Sequence, residues 1–380
     1  MRETVLTNAL VVTEQESFPG TVVLDKGRIV SVDEGPSRCP GAEDQGGDML
    51  IPGLIELHTD NLEKQLQPRP GVLWPSARAA LLAHDAQIVA AGITTVLDAF
   101  ACGQYYEAGN RRLMLVIGLE AVREMRRSGH LRAEHFTHAR CELADPDLMT
   151  LFAPFAEEPS LKLVSLMDHT PGQRQYVNTT AYRTYYQDRQ RWTDAEFDDE
   201  VLRMQEVQQR FAGRHAEEVL AFCREHGLPS ASHDDATLEH VEWAHDRGMA
   251  ISEFPTTLEA ASRATELGLL TLMGAPNVVR GGSHSGNVPA EDVARRGCLG
   301  CLSSDYVPSS LLHAAWLLHK KGICDLSQAM NLVTAGPARA VGFRDRGRIA
   351  PELRADLVRL HADGDLPVIR TVWRDGQRVF

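Results

Sequence analysis

The sequence has 380 residues, of which 43% are hydrophobic and 24% are charged, and it carries a formal charge of −13. This composition supports a sizeable core and excludes wholesale disorder, while the acidic balance disfavours nucleic acid or an anionic membrane as the main partner. The length fits one large α/β domain with a smaller companion.

The chain shows no sequence signal for export or for membrane insertion. No apolar run approaches the roughly 20 residues that span a bilayer, and residues 1–12 lack the basic-then-apolar order of a signal peptide. The seven cysteines are odd in number and widely scattered, which fits a reducing compartment better than a disulfide framework. The sequence therefore predicts a cytoplasmic protein.

The two ends of the chain predict short strands. Residues 1–51 and 345–380 alternate apolar and polar side chains, and the pairs Lys26–Gly27 and Asp375–Gly376 are typical of hairpin turns. Neither segment can bury a face alone, so we expect both to pack together as one small β-sandwich domain.

Between these segments, residues 52–344 predict an α/β fold of the (β/α)8 TIM-barrel type. Short apolar runs alternate with stretches of helical periodicity, which is the pattern of a parallel sheet covered by helices. Predicted helices cover residues 76–92, 112–129 and 198–227. The eight predicted strands are residues 50–58, 93–100, 135–143, 161–168, 228–235, 249–255, 269–276 and 299–306.

Ionisable side chains occur at the ends of these predicted strands. His58 and Asp60 lie two residues apart, so the alternation of an extended chain points both to the same side. In a β/α barrel the active site lies at the C-terminal ends of the strands. The predicted metal ligands are therefore His58, Asp60, Glu142, His169, His233 and Asp305.

These ligands predict a site for divalent metal. Imidazole and carboxylate together suit Zn2+ or Mn2+, with Mg2+ as a further choice. Six ligands exceed a closed tetrahedral site, so we expect two ions with Glu142 as the bridge. Such an ion lowers the pKa of a water molecule to roughly 7, and Asp305 is predicted to hold that water and take its proton. The alternative is a structural role, with Asp234 or Asp235 capping the helix that follows.

Basic residues near the same strand ends predict a small-molecule substrate with several negative charges. Lys64 and Arg69 follow the first predicted strand, Arg174 follows the fourth, and Arg280 follows the seventh. Arginine brings positive charge and hydrogen-bond donors to an anionic ligand. The alternative is ordinary salt bridging to nearby carboxylates, namely Glu63, Asp168 or Asp235.

The stretch GAPNVVRGGSHSGN, residues 274–287, is predicted as a glycine-rich loop. Gly281–Gly282 lets the backbone approach a ligand closely, and Arg280 and His284 bring charge and donors. The stretch matches neither a Walker loop nor a dinucleotide fingerprint. The alternative is a flexible surface loop.

Several stretches together resemble one enzyme family. IPGLIELHTDN, SLMDHTPGQRQY, GAPNVVRGGSHSGNV and LSSDY occur in this order, and RGRIAPELRADLVRL follows. From about residue 20 onward the chain resembles the α-D-ribose 1-methylphosphonate 5-triphosphate diphosphatases of the amidohydrolase superfamily, which act in the carbon–phosphorus lyase pathway. The resemblance implies a barrel with a terminal β-sandwich, and hydrolysis of a 5-triphosphate to the 5-phosphate and pyrophosphate.

The resemblance also implies roles for single residues. His58 and Asp60 take the place of the superfamily's His-x-His on strand one, and Glu142 that of a carboxylate on strand three. His233 takes the place of the strand-five histidine, and Asp305 that of the aspartate that activates water.

For the reaction itself, our hypothesis gives catalytic roles to Asp305, which orients the hydroxide, and to His284, which donates to the leaving pyrophosphate. Glu253 replaces the superfamily's strand-six histidine and is assigned to substrate binding. The remaining residues assigned to the substrate are the cations Lys64, Arg69, Arg174 and Arg280.

Two rival functions stay open from the sequence. One is hydrolysis of a C–N bond in a cyclic amide or related small molecule, against which the number of nearby cations argues. The other is a non-catalytic subunit of a multiprotein phosphonate complex, against which the intact set of ligands argues. A homodimer is a further expectation, since barrels with such an accessory domain are often dimers.

Overall fold

The computed structural model describes residues 3–103, 110–177, 182–183, 193–283 and 285–380. The chain forms two compact units. The first comprises Met1–Asp98, Glu120–Phe136 and Met273–Phe380, and the second comprises Ala99–Leu119 and Thr137–Leu272. The predicted domain boundaries after residues 51 and 344 stay predictions, because both terminal segments and part of the barrel fall within the first unit.

The N- and C-terminal segments form one mixed sheet in the first unit. Its strand order is β16-β15-β14-β5-β1-β2-β3, and β4 pairs with β1. The antiparallel pair β5–β14 joins the two segments, so the prediction that they combine is confirmed. The strands are β1 (Thr4–Val12), β2 (Ser17–Asp25), β3 (Arg28–Glu34), β4 (Glu43–Asp44), β5 (Met49–Pro52), β14 (Leu357–Asp363), β15 (Leu366–Arg374) and β16 (Gln377–Arg378).

Both predicted hairpin turns are present in this sheet. Lys26 and Gly27 have φ angles of 49° and 81° between β2 and β3, and Asp375 and Gly376 have 49° and 69° between β15 and β16. Positive φ at both central residues is the type I′ geometry that two-residue hairpins favour. Both segments contribute to one apolar core, which includes Leu6, Leu24, Ile29, Leu357 and Trp373.

The central part of the chain forms a parallel barrel of eight strands. The strand order runs from β6 to β13 in sequence order, and a parallel bridge between Thr59 and Asp305 links the first and last strands. The fold predicted from the alternation is therefore confirmed. The strands are β6 (Leu54–Thr59), β7 (Ile93–Cys102), β8 (Glu134–Glu142), β9 (Leu161–Met167), β10 (Ser230–His233), β11 (Ile251–Glu253), β12 (Leu270–Gly274) and β13 (Cys301–Ser303).

The helices follow the predicted periodicity, and their ends carry recognisable caps. Thr193 and Glu196 form a capping box at the start of the longest described helix, and Gly227 ends it with a φ of 62°. The described helices are α1 (Asn61–Leu66), α2 (Ala77–Ala90), α3 (Arg111–Ser128), α4 (Leu148–Ala156), α5 (Asp194–His226), α6 (Leu238–Asp246), α7 (Leu258–Glu266), α8 (Ala275–Arg280), α9 (Ala290–Arg295), α10 (Ser310–Lys320), α11 (Leu326–Asn331) and α12 (Ala335–Ala340).

Two local predictions are corrected. The run 50–58 is two strands, because the chain leaves the terminal sheet at Gly53, where a Cβ atom would lie 2.3 Å from Oγ1 of Thr94. The stretch 274–287 begins as a helix, since Pro276 favours its first turn and Gly281 ends it with a φ of 77°. The loop prediction is therefore wrong for residues 275–280.

All seven cysteines are free thiols, in agreement with the expected lack of a disulfide framework. Within the described ranges, no helix combines the length and the apolar character that crossing a membrane requires.

Candidate active site

The predicted metal ligands lie where barrel strands end. His58 is the penultimate residue of β6, while Glu142 and His233 are the last residues of β8 and β10. The C-terminal strand ends are the place where β/α barrels carry their catalytic side chains. The other predicted ligands follow a strand end by one or two residues, namely Asp60, His169 and Asp305.

In the second unit, two histidines are each held by a buried carboxylate. Nδ1 of His169 lies 2.6 Å from Oε2 of Glu142, whose Oε1 accepts the backbone N–H of His169 at 3.0 Å. Nδ1 of His233 lies 2.6 Å from Oε2 of Glu253. A carboxylate at Nδ1 fixes the orientation of the ring and makes Nε2 the ligand atom, which is typical of metal-binding histidines.

Asp234 completes this group, which we call the His169–His233 cluster: Glu142, His169, His233, Asp234 and Glu253. Oδ2 of Asp234 lies 3.5 Å from Nε2 of His233 and 3.9 Å from Nε2 of His169. Ligand atoms about 2.1 Å from one tetrahedral ion lie about 3.4 Å from each other. The spacing of these three side chains therefore suits a shared metal ion.

Asp234 was not among the predicted ligands. The structure excludes the helix-capping alternative for it, because the N-cap of α6 is Thr237, whose hydroxyl accepts the backbone N–H of His240 at 3.3 Å. Asp234 instead has a left-handed φ of 56° directly after β10. The signal in the sequence was the succession of His233 and Asp234 at the end of a predicted strand.

The charges in the His169–His233 cluster stabilise one another. Burial alone lowers the pKa of His233, but the carboxylates of Asp234 and Glu253 outweigh burial and raise this pKa above its usual value. Burial also raises the pKa of Glu142, but the neighbouring His169 outweighs it and lowers this pKa. The cluster is thus a place where positive charge is favoured.

A chain of hydrogen bonds supports Glu253 from behind. Nε2 of His138 lies 2.6 Å from Oγ of Ser165, and that hydroxyl donates to Oε2 of Glu253 at 2.9 Å. Glu253 is completely buried, so the contacts that the structure shows for it orient His233. Its predicted contact with substrate stays a prediction.

Arg174 is buried and paired with Asp235. Its Nη1 donates to Oδ1 of Asp235, whose Oδ2 accepts the hydroxyls of Ser232 and Ser252 at 2.5 and 2.7 Å. The guanidinium also lies 5.2 Å from the ring centroid of Trp243. The salt-bridge alternative is therefore confirmed for Arg174, and its contact with substrate stays a prediction.

In the first unit, hydrogen bonds join the ends of β6 and β13. The backbone N–H of Asp305 donates to the carbonyl of His58 at 3.1 Å, and the backbone N–H of Asp60 donates to the carbonyl of Asp305 at 3.3 Å. The Thr59 hydroxyl donates to the same Asp305 carbonyl at 2.7 Å. These bonds bring together three predicted site residues that the sequence separates by about 245 positions.

Two carboxylate groups, those of Glu56 and Asp60, lie at this junction. Glu56 accepts the backbone N–H groups of His58 and Ser304 at 2.7 and 2.6 Å, yet burial raises its pKa to about 8. Oδ1 of Asp60 is buried, and no hydrogen-bond partner reaches it from the described residues. A buried carboxylate oxygen without a partner is costly unless a cation or proton satisfies it. Asp60 therefore fits a metal ligand.

The predicted substrate cations differ in their surroundings. Nζ of Lys64 donates to the backbone carbonyl of Tyr306 at 2.6 Å and lies 4.6 Å from the centroid of that ring. Lys64 thus sits beside the end of β13, next to Asp305. Arg69 and Arg280 are both exposed, Arg280 as the last residue of α8. His284 lies outside the described residues.

No family model matches the chain. Over 378 residues, however, it is 46% identical to the α-D-ribose 1-methylphosphonate 5-triphosphate diphosphatase of Escherichia coli (strain K12), a match that covers 99% of this chain and 100% of that protein. The chain belongs to this diphosphatase family. A weaker likeness, 24% identity over 366 residues, links the family member to imidazolonepropionase of Deinococcus deserti and covers 88% of this chain and 85% of that protein.

Solved structures share the fold of this diphosphatase family member. N-isopropylammelide isopropylaminohydrolase from Burkholderia multivorans matches with a TM-score of 0.65 at 18% identity, covering 100% of this chain and 98% of that chain. 5-Methylcytosine deaminase from Klebsiella pneumoniae matches with a TM-score of 0.66 at 16% identity, covering 99% of this chain and 98% of that chain. N-acetyl-D-glucosamine-6-phosphate deacetylase from Mycobacterium smegmatis matches with a TM-score of 0.62 at 18% identity, covering 99% of this chain and 100% of that chain. The amidohydrolase fold is thereby confirmed.

Proposed function

We propose that this protein hydrolyses the 5-triphosphate of α-D-ribose 1-methylphosphonate to the 5-phosphate and pyrophosphate. The observation that carries the proposal is 46% identity along 99% of the chain to a protein of that name. One water molecule is consumed, and the anhydride bond between the α- and β-phosphorus atoms is broken. The partner is therefore a small polyanion, and the proposed location is the cytoplasm.

One group of side chains suits a divalent metal ion by its spacing, and a second group is proposed from its place at the strand ends. Nε2 of His169, Nε2 of His233 and the carboxylate of Asp234 would hold one ion in the second unit, since their spacing suits shared coordination. The mixed nitrogen and oxygen donors favour Zn2+ or Mn2+ over Mg2+. A bound ion of this kind supplies an activated water and polarises phosphoryl oxygens. The second ion is assigned to the side chains at the junction of β6 and β13, namely His58, Asp60 and Asp305.

The chain's own residues have distinct parts in the reaction. Asp305 orients the attacking water in line with the α-phosphorus and takes its proton at a carboxylate oxygen. Glu142 and Glu253 hold the two imidazoles of the His169–His233 cluster in place. The sequence-based role of Glu142 as a bridging ligand stays a prediction.

The leaving pyrophosphate needs positive charge and a hydrogen-bond donor. Lys64 is suited to neutralise that charge because it lies beside the end of β13. Arg69, Arg280 and His284 are proposed as further contacts with the substrate from their places in the sequence. A homodimer is likewise proposed, from the accessory sheet alone.

The test measures pyrophosphate and orthophosphate release from ribose 1-methylphosphonate 5-triphosphate after chelation and again after addition of Zn2+, Mn2+ or Mg2+. We expect metal-dependent release of pyrophosphate. In Asp305→Asn the turnover number should fall by at least about a hundredfold with the fold intact, while Asp365→Asn, an exposed turn position, serves as the matched control.

A folded, metal-loaded protein that releases no pyrophosphate would contradict the proposed function. A panel of cyclic amides then tests the C–N hydrolase alternative with the same preparations. An Asp305→Asn variant that keeps more than a tenth of the wild-type rate would remove Asp305 from the mechanism without removing the activity.

A further inference from the structure

Arg140 lies near the C-terminal end of β8, two residues before Glu142. Its Nε is buried, and no hydrogen-bond partner reaches it from the described part of the chain. The side chain as a whole is half-buried, so part of it remains accessible. The arginine side chain stays charged at any ordinary pH, and a buried donor that lacks an acceptor is costly. This position therefore needs an explanation beyond packing.

Arg140 lies on the strand face that carries the His169–His233 cluster. Successive side chains of a strand alternate between its two faces, so Arg140 shares a face with His138 and Glu142. Glu142 binds His169 directly, and His138 reaches Glu253 through a serine hydroxyl.

The pairing of strands agrees with this placement. Arg140 is the register partner of Ser165 on β9, and Ser165 is the serine whose hydroxyl donates to Glu253. The positive charge of Arg140 also acts on His233, whose pKa it lowers against the effect of the surrounding carboxylates. Arg140 thus lies on the strand face that carries the groups holding the imidazoles, and its charge reaches His233.

The guanidinium of Arg140 acts on His233, an imidazole that can carry a proton. A protonated imidazole repels the guanidinium, and a metal ion bound to the imidazoles would add to this repulsion. An anion between them reverses the sign of the interaction, and a phosphate oxygen offers the geometry that a guanidinium binds best. Arg111 supplies a second positive charge near the cluster, since it contributes to the lowered pKa of Glu142.

We propose that Arg140 binds a phosphate group of the substrate's triphosphate chain. The proposal rests on the proposed function for the identity of that substrate, and it names a residue that the sequence did not single out. Arg140 lies inside a predicted strand rather than after its end, so its position alone marks it as part of the barrel wall.

The experiment measures inorganic phosphate binding to the metal-loaded protein by calorimetry, with metal content determined before and after. Phosphate is the probe because it chelates metal less strongly than pyrophosphate or triphosphate does. We expect Arg140→Gln to weaken binding about tenfold to a hundredfold, the range for a lost hydrogen bond to a charged group. Arg140→Lys keeps the charge but loses the paired donors, so at least a threefold loss is expected.

Arg127→Gln is the matched control, because Arg127 is exposed on α3 and is expected to leave phosphate affinity unchanged. Thermal unfolding checks that each variant is folded. If Arg140→Gln does not fold, Arg140→Lys decides the question. Wild-type phosphate affinity in a folded Arg140 variant of unchanged metal content overturns the proposal.

Kinetics separate this proposal from the proposed function. With ribose 1-methylphosphonate 5-triphosphate, Arg140→Gln should raise KM at least tenfold, a change that loss of structure alone does not produce. If the wild type releases pyrophosphate and Arg140→Gln has unchanged KM and phosphate affinity, the function stands and the role of Arg140 falls. If phosphate binding depends on Arg140 but no pyrophosphate is released, the phosphate site stands and the substrate assignment falls.

Discussion

Two buried histidine clusters both combine histidine with carboxylate side chains but differ in which ring nitrogens face carboxylates. In the first unit, Asp85, His84, Asp98 and His135 form what we call the His84–His135 cluster. Nε2 of His84 lies 2.7 Å from Oδ1 of Asp98, and Nδ1 of His135 lies 2.8 Å from Oδ2 of the same carboxylate. Nε2 of His135 lies 3.3 Å from Oδ1 of Asp85. Both nitrogens of His135 thus face carboxylates.

Nδ1 of His84, the remaining ring nitrogen of the His84–His135 cluster, also has a hydrogen-bond partner. The side-chain amide of Asn61 donates to Nδ1 of His84 and to Oε1 of Gln87, so the proton of His84 is on Nε2 and points at Asp98. Every ring nitrogen here already has a hydrogen-bond partner. In the His169–His233 cluster the carboxylates take Nδ1, while Nε2 of each ring lies 3.5 Å or more from Asp234.

The choice of nitrogen, rather than the residue composition, distinguishes the His84–His135 cluster from the proposed metal site. Both groups bring ligand atoms close enough to hold an ion. Burial alone lowers the pKa of His135, but Asp98 and Asp85 outweigh burial and raise this pKa to about 9. His135 therefore carries the positive charge that a metal ion would bring to the other cluster.

The largest expected effect is on catalysis, from His233→Asn. This change removes a ligand atom from the His169–His233 cluster, so we expect turnover to fall by about a thousandfold or more. One equivalent of bound metal should be lost, with a small change in melting temperature. Metal analysis and pyrophosphate release check this, with His130→Asn at an exposed position as the control. Full metal content in His233→Asn would place the ion elsewhere.

A change in the other cluster should act on stability instead. Asp98→Asn leaves the buried charge of His135 with one carboxylate in place of two, and breaking a buried ion pair costs about 3–5 kcal/mol. We expect the free energy of unfolding in urea to fall by about that amount, while metal content and the rate of the folded enzyme stay near wild type. If Asp98→Asn loses metal but keeps the wild-type free energy of unfolding, the His84–His135 cluster is the one that binds metal.

The charge of His135 predicts a pH dependence of stability. Its pKa of about 9 in the folded state exceeds the value near 6.5 in the unfolded chain, so the folded state binds the proton more tightly. The stabilisation, about 3 kcal/mol, is complete below pH 6.5 and is lost as the pH rises through 9. Urea unfolding of the wild type between pH 6 and 10 should show this decline, and His135→Asn should lack it. If the free energy of unfolding changes with pH in the same way in the wild type and in His135→Asn, His135 is neutral in the folded protein.

The fold follows from the sequence because its signals are local. The strand β12 is mostly apolar, with the sequence LTLMG, and the turn at Lys26–Gly27 is determined by its own two residues. The break at Gly53 could not be predicted in this way. It depends on Thr94, which lies 41 positions further along the chain and leaves no room for a side chain.

The site could be predicted only where its residues end a strand. His58 and His233 were predicted from that signal, whereas Asp234 and Arg140 gain their meaning from residues of another strand and its end, His169 after β9 and Ser165 on β9. The His84–His135 cluster gave no signal, because a helix supplies His84 and the start of β8 supplies His135, 51 positions later. Three-dimensional contacts bring such residues together without any pattern in the sequence.

The smallest expected effect tests whether the carboxylate of Glu253, at Nδ1 of His233, raises the affinity for metal. Glu253→Gln keeps an oxygen that can accept the Nδ1–H of His233 but removes the negative charge, which lowers the basicity of Nε2. We expect metal affinity at pH 7 to fall about tenfold to a hundredfold in competition with a chelator. Glu239→Gln on the exposed surface of α6 is the control. Equal affinity in the two variants would mean that the hydrogen bond orients the ring without tuning it, and the two clusters would then differ in geometry alone.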